Sequence, residues 1–143
     1  HVRSRRQRQM CIRDRLIDAH PGVGIKNRFG IPDVPERVHW EEDFALEVGA
    51  PGAYDYGPER TSWLTHHLTN WMGDTGFLHK ASCKIRRHNP EGDMLFIKGK
   101  VVRKYVQDGK SMVDIEQVAH NQDDELSVIG GGTIILPTRQ ARP

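Results

Sequence analysis

The chain of 143 residues is long enough for one domain with its own core and too short for two domains of ordinary size. Its charged fraction of 28% and mean hydropathy of −0.65 are typical of a water-soluble protein. No stretch approaches the roughly 20 apolar residues that a membrane-spanning helix needs, and the first residues lack the apolar segment of a secretory signal. These properties argue against a helical membrane protein and predict a cytoplasmic one.

Residues 1–15 carry the positive charge that makes the whole chain basic, with six arginines and one aspartate. Residues 5–15 match the in-frame translation of a common transposase sequencing adaptor and show neither helical nor strand periodicity. We expect residues 1–15 to be adaptor-derived and non-native, and the natural protein to begin upstream, so that this is a fragment. The alternative is a natural arginine-rich arm that binds nucleic acid or acidic lipid.

Without that segment the charge balance is reversed. Lys plus Arg falls from 21 to 15 and Asp plus Glu from 19 to 18, so the net charge changes from +2 to −3. The argument for nucleic-acid binding therefore disappears with the segment. Cys83 is then the only cysteine, which excludes an intramolecular disulfide and suits a reducing compartment. Its place in an apolar alternation predicts packing rather than chemistry.

The next elements, in chain order, are a loop, a short helix and a second loop. Residues 16–36 are rich in Gly and Pro and are predicted to form a linker or wrapping loop. A short helix is predicted over residues 41–48, ended by Gly49. Its apolar face would consist of Phe44, Ala45 and Val48. Residues 50–57 read as a Gly- and Pro-punctuated loop.

The clearest helical pattern begins at Pro58, a residue favoured in the first turn, and ends at Gly73. Its apolar residues recur at helical spacing and are expected to form one stripe: Leu64, Leu68, Trp71 and Met72, widened by Trp63. A helix with such a stripe needs a large apolar surface to cover it.

After this helix the period changes to two, which is typical of strands. Strands are predicted near residues 81–86 and over residues 94–106, 112–120 and 126–136, with Asp108 and Gly109 in a hairpin turn and a polar turn at residues 121–124. The glycines at 130 and 132 permit curvature or a close backbone approach, and no helix follows them as a phosphate loop would require. A curved antiparallel sheet wrapped around the long central helix is the simplest way to bury the stripe, which makes the fold α+β.

Four segments in this order resemble MaoC-like hot-dog dehydratases. They are RVHWEEDFALEVGAPGAYDYG, PERTSWLTHHLTNWMGD, RRHNPEGDMLFIKGKVV and NQDDELSVIGGGTIILP. The resemblance implies a hot-dog domain over residues 37–137, followed by a tail at 138–143. It also implies that this is the C-terminal unit of a two-unit chain. Its partner would be a second hot-dog unit, either upstream on the same chain or in a homodimer.

The implied reaction is the reversible hydration of a trans-2-enoyl acyl-CoA thioester, with no cofactor and no metal. His39 matches the position of the family's catalytic histidine. The family's aspartate lies five residues before that histidine, where this chain has Val34, so that Asp33, six residues before, is the candidate partner. The alternative is that His39 is a surface or packing residue and that the acid is absent.

The resemblance also implies a substrate-binding segment at the entrance of the central helix. The family has a His-Gly pair there, whereas this chain has Tyr56 and Gly57. Gly57 could present a backbone donor to the thioester oxygen, and Tyr54, Asp55 and Tyr56 could supply the missing polar group. Alternatively, the tyrosines pack and Asp55 caps the helix.

Other polar residues favour ordinary structural roles. Neighbouring residues on a helix cannot both face one metal, so His66 and His67 are predicted to pack or to face solvent. Arg86, Arg87 and His88 could meet the phosphates of coenzyme A, but a solvated strand face is favoured. Two other functions stay open: a hot-dog thioesterase, and a non-catalytic hot-dog half that supports an active partner unit.

Overall fold

The computed structural model describes residues 14–138, which divide after Ala53 into two compact units. Most of the predicted adaptor segment (residues 1–13) and most of the predicted tail (residues 139–143) lie outside the described residues.

The first unit is built of short elements. It contains helix α1 (residues 14–19), strands β1 (Ile25–Lys26) and β2 (Pro32–Asp33), and helix α2 (Glu42–Glu47), with 3₁₀ turns at Pro21–Val23 and Pro35–His39. β1 and β2 pair antiparallel, and the side chain of Asn27 closes their turn by accepting from the amides of Phe29 and Ile31 at 3.0 and 3.2 Å. The predicted loop at residues 16–36 therefore has local structure of its own.

Helix α2 confirms the predicted short helix, and Gly49 follows it with a φ of +86°. Phe44 and Ala45 are buried as expected, and the guanidinium of Arg37 lies 3.8 Å from the centre of the Phe44 ring. The prediction for Val48 was wrong, since 57% of it is exposed. Val48 is the C-terminal cap, with φ −86° and ψ 6°, so it no longer has the helical geometry on which the predicted face depends.

The second unit begins with the long helix α3 (Gly57–Met72). The helix starts one residue before the predicted Pro58 and ends as predicted at Gly73, whose φ of +69° is the left-handed conformation that glycine adopts readily.

Four antiparallel strands follow: β3 (Phe77–Ile85), β4 (Phe96–Gln107), β5 (Lys110–His120) and β6 (Leu126–Leu136). They form one sheet in the order β3-β6-β5-β4. Asp108 and Gly109 both have positive φ, +50° and +73°, as the predicted two-residue hairpin between β4 and β5 requires. The strand predictions are confirmed.

The core of the second unit lies between α3 and the middle of this sheet. Leu68 packs with Val113, Ile115 and Ile134, and Leu64 packs with Ala119 and Val128. A long helix on a curved antiparallel sheet is the predicted α+β hot-dog arrangement.

Two tryptophans differ from their prediction. Trp63 is 39% and Trp71 48% exposed, although both were assigned to the buried stripe. The sheet covers the narrow row of residues four apart, Leu64, Leu68 and Met72, and the tryptophans flank this row. Periodicity alone overestimated the width of the covered stripe.

The glycines of β6 allow α3 to approach the sheet. A Cβ at Gly130 would lie 2.4 Å from Cδ2 of Leu64 and 2.6 Å from the carbonyl oxygen of Ser82. A Cβ at Gly132 would lie 2.7 Å from Cδ1 of Leu68 and 2.6 Å from the carbonyl oxygen of Lys80. The predicted close backbone approach is thus confirmed at both positions.

Candidate active site

Residues 54–57, which we call the entrance segment, lead directly into α3. Gly57 is the first residue of the helix, so its N–H belongs to the first turn, where amides have no acceptor within the helix. A Cβ added at Gly57 would lie 3.4 Å from Cδ1 of Ile85, which is an ordinary contact, and its φ is not positive. Neither a clash nor a positive φ in the second unit therefore demands glycine at this position, and only the proline that follows disfavours a Cβ in the helical conformation.

Asp55 is held by both its backbone and its side chain. Its amide donates to the carbonyl oxygen of Asn89 at 3.1 Å. Its carboxylate forms a two-pronged ion pair with Arg60, in which Nε donates to Oδ2 at 2.5 Å and Nη2 donates to Oδ1. The N-cap residue of the helix is Tyr56, and the Asp55 carboxylate pairs with Arg60, so the alternative in which Asp55 caps the helix does not hold.

Arg60 is the central residue of this cluster and is only 2% exposed. Besides pairing with Asp55, its Nη1 donates to the carbonyl oxygen of Arg87 at 2.7 Å and to Oγ of Ser127 at 3.2 Å. Sequence reasoning missed Arg60. The available signal was a charged residue one turn before Leu64, on the apolar stripe itself.

The two tyrosines of the entrance segment differ. Tyr54 forms a β-bridge with Pro90, and its ring lies 4.4 Å from that of His88 between centroids, tilted by 59°. Tyr56 is 46% exposed, and its amide donates to the side chain of Glu59 at 3.4 Å. Tyr54 thus has packing contacts, while Tyr56 presents its side chain to solvent.

The other predicted site residues, Asp33 and His39, belong to the first unit. Asp33 ends β2 and is 7% exposed; its Oδ1 accepts from the amide of Val34 at 2.9 Å and its Oδ2 from Nδ2 of Asn27 at 3.4 Å. His39 is the last residue of the 3₁₀ turn Pro35–His39 and is half-buried. The structure therefore gives Asp33 an oriented carboxylate and leaves His39 as a half-buried residue.

The histidines of α3 have the structural roles predicted for them. His66 is exposed, and Nδ1 of His67 accepts from Nε2 of the buried Gln117 at 2.8 Å. Gln117 also donates to the carbonyl oxygen of Leu64 at 3.0 Å, which ties the helix to β5. Among residues 14–138 no group of three or more His, Cys, Asp or Glu is arranged to hold a metal ion.

The basic residues after β3 are exposed, and Arg87 among them has an oppositely charged partner. Arg87 forms an ion pair with Glu125. This pair, with a hydrogen bond from Asn121, lowers the pKa of the Glu125 carboxyl, and it raises the pKa of the Arg87 guanidinium. The charge of Arg87 is therefore already paired within the protein, which argues against a role in binding the phosphates of a ligand.

A groove of about 390 Å³ lies on the opposite face of the sheet from α3, lined by Lys80, Tyr105, Asp114 and Glu116 among others. Along β6, a Cβ at Gly130 or Gly132 would meet side chains of α3, while the groove on the other face is lined by Gly131 and Thr133 and by the main chain of both glycines. It is therefore separate from the entrance segment.

Comparison with known proteins identifies the fold. No family model and no curated protein matches the sequence. Among solved structures, the chain resembles an (R)-hydratase from A. caviae involved in PHA biosynthesis, with 18% identity, a TM-score of 0.62, and 71% of this chain and 76% of that chain covered. The values are the same for the ChsH1-ChsH2 complex from Mycobacterium tuberculosis.

A third match is a Mycobacterium tuberculosis protein with a double hot-dog fold, at 16% identity and a TM-score of 0.54. It covers 92% of this chain, which spans 40% of that protein. The chain therefore has the hot-dog fold found in R-hydratases and MaoC-like dehydratases. Within the described residues, no helix combines the length and the apolar character needed to cross a membrane.

Proposed function

We propose that this chain is a hydratase or dehydratase domain that reversibly adds water to a trans-2-enoyl thioester of coenzyme A. The observation that carries the proposal is Gly57, placed at the first position of the central helix of a hot-dog fold with an amide that the helix does not use. A hydratase is among the proteins of similar fold.

In this reaction the imidazole of His39 takes a proton from water as the hydroxyl adds to C3 of the enoyl group, and the imidazolium then gives that proton to C2. Histidine suits this task because it exchanges protons near neutral pH. The carboxylate of Asp33 is oriented by the Val34 amide. It would hold the imidazole of His39 in the orientation needed for proton transfer. The amide of Gly57 and the positive end of the α3 dipole would stabilise the charge that develops on the thioester oxygen.

The proposal includes a second hot-dog unit, on the same chain or in a separate one. β3 and β4 each have one edge without a strand partner among residues 14–138, and unpaired edges favour association. Two proteins of similar fold are described as a complex of two components and as a double hot-dog.

The test is an assay of the full-length protein with crotonyl-CoA, following the loss of enoyl absorbance. We expect this absorbance to fall without release of free thiol. Thiol release would instead indicate the thioesterase. If neither occurs, while a neighbouring unit is active and loses activity without this one, this chain is a supporting half.

Gly57→Ala is expected to remain folded, with a small loss of stability because a Cβ is disfavoured in the helical region before proline. It is expected to lower kcat/KM for crotonyl-CoA by on the order of 10²-fold, because a methyl group at the donor displaces the thioester by about 1 Å. The 3.4 Å contact with Ile85 leaves room for the methyl group in the fold. Thermal unfolding and steady-state kinetics measure the two effects. Gly22→Ala, where a Cβ meets nothing within 4 Å, is the matched control. An active Gly57→Ala variant would remove Gly57 from the site.

A further inference from the structure

The buried ion pair of Arg60 and Asp55 is not explained by stability alone. Arg60 lies one turn before Leu64 on the apolar stripe of α3, at a position that an apolar side chain would fill. Buried ion pairs often stabilise no more than apolar residues of similar volume, because both charges lose their hydration. The presence of a charged pair at this position therefore suggests that the backbone at the start of α3 must be held in a fixed geometry.

The guanidinium of Arg60 joins three parts of the second unit. It bonds the carboxylate of Asp55 in the entrance segment, the carbonyl oxygen of Arg87 after β3, and the hydroxyl of Ser127 in β6. A planar guanidinium that makes such bonds fixes direction as well as distance. These bonds fix the position of the start of α3 relative to the sheet.

Gly57 lies between the two members of the pair. Asp55, two residues before it, is fixed by its carboxylate and by its amide bond to Asn89, and Arg60, three residues after it, is fixed by the sheet. The chain is thus clamped on both sides of the peptide unit whose N–H points out of the helix. Any change in the clamp is expected to move or tilt that N–H.

We propose that Arg60 and Asp55 are positioning residues that aim the Gly57 amide at the thioester oxygen. This inference rests on the proposed function. Both carboxylate oxygens of Asp55 are engaged by Arg60, so Asp55 acts through Gly57 rather than by touching the substrate. Because the donor acts mainly on charge that develops in the transition state, its misplacement lowers kcat and leaves KM nearly unchanged.

The test compares Arg60→Lys with wild type in the full-length protein. Lysine keeps the charge but cannot form the two-pronged pair. At a temperature where circular dichroism shows the variant fully folded, we expect kcat for crotonyl-CoA to fall by about 10- to 100-fold and KM to change by less than about 3-fold. Arg103→Lys, at an exposed arginine of β4, is the matched control and should keep wild-type kinetics. A folded Arg60→Lys variant with wild-type kcat would overturn the inference.

Asp55→Asn provides a second variant in case Arg60→Lys does not fold, because asparagine preserves the shape of the side chain. It should show the same fall in kcat with KM unchanged, and wild-type kcat would count against the positioning role. Amide hydrogen exchange gives a readout independent of activity: the Asp55 amide should exchange faster in Asp55→Asn, while β5 and β6 keep their protection. Unchanged exchange at Asp55 would also overturn the inference. A wild-type protein that leaves crotonyl-CoA unchanged would overturn the proposed function and the catalytic role of the pair with it, whereas an active wild type with active variants would overturn the positioning role alone.

Discussion

His39→Gln is expected to lower kcat for crotonyl-CoA hydration by about 10²- to 10⁴-fold, the usual contribution of a positioned general base. Glutamine approximates the polarity of the imidazole but cannot accept a proton from water. Because the change removes proton transfer and not a thioester contact, KM should change little. Steady-state kinetics over a range of pH provide the measurement, and the dependence on a basic group should disappear from the kcat profile of the variant.

The matched control is His66→Gln, the same substitution at an exposed histidine of α3, which should retain wild-type kcat. Loss of activity in both variants would indicate a general effect of histidine replacement. Full activity of His39→Gln would mean that the base lies elsewhere, and would favour the supporting half over the catalytic unit.

The fold was predictable because its signals are local. Alternation placed β6 at residues 126–136, the bounds found in the structure, and Pro58 and Gly73 bracketed α3 to within one residue. The burial of individual helix side chains could not be predicted, because it depends on which surfaces other elements cover in the tertiary structure. Trp63 and Trp71 have the right spacing for burial, but their exposure is decided by which flank of α3 the sheet reaches.

The candidate site was only partly predictable, for a related reason. The entrance segment was found by its resemblance to a known pattern, yet the role of Asp55 depends on Arg60, to which no sequence pattern assigned a role. Arg60 in turn is fixed by Ser127, 67 positions away, and by a carbonyl oxygen that no side-chain motif reveals. Sequence spacing cannot show such long-range bonds, whereas a charge on an apolar stripe could have raised the question.

Gly130→Ala is expected to reduce the free energy of unfolding by about 3 kcal/mol, at the upper end of the usual range for overpacking. The new methyl group would lie 2.6 Å from the carbonyl oxygen of Ser82, which is backbone in the paired strand β3. It would also lie 2.4 Å from Cδ2 of Leu64. Since the strand cannot move without losing ladder bonds, the sheet and helix must separate. Chemical denaturation of the variant and of Gly22→Ala, which should lie within about 0.5 kcal/mol of wild type, measures the effect.

A double-mutant cycle with Leu64→Ala separates the two clashes. Leu64→Ala alone should cost about 2 to 5 kcal/mol through the cavity it leaves beneath α3. In the double variant the methyl group of residue 130 enters that cavity, so the combined loss should be smaller than the sum by about 1 kcal/mol. The clash with the Ser82 carbonyl persists, so the rescue is incomplete. If the two losses simply add, Leu64 is not what requires glycine at position 130, and contact between the helix and β6 does not account for the glycine-rich strand.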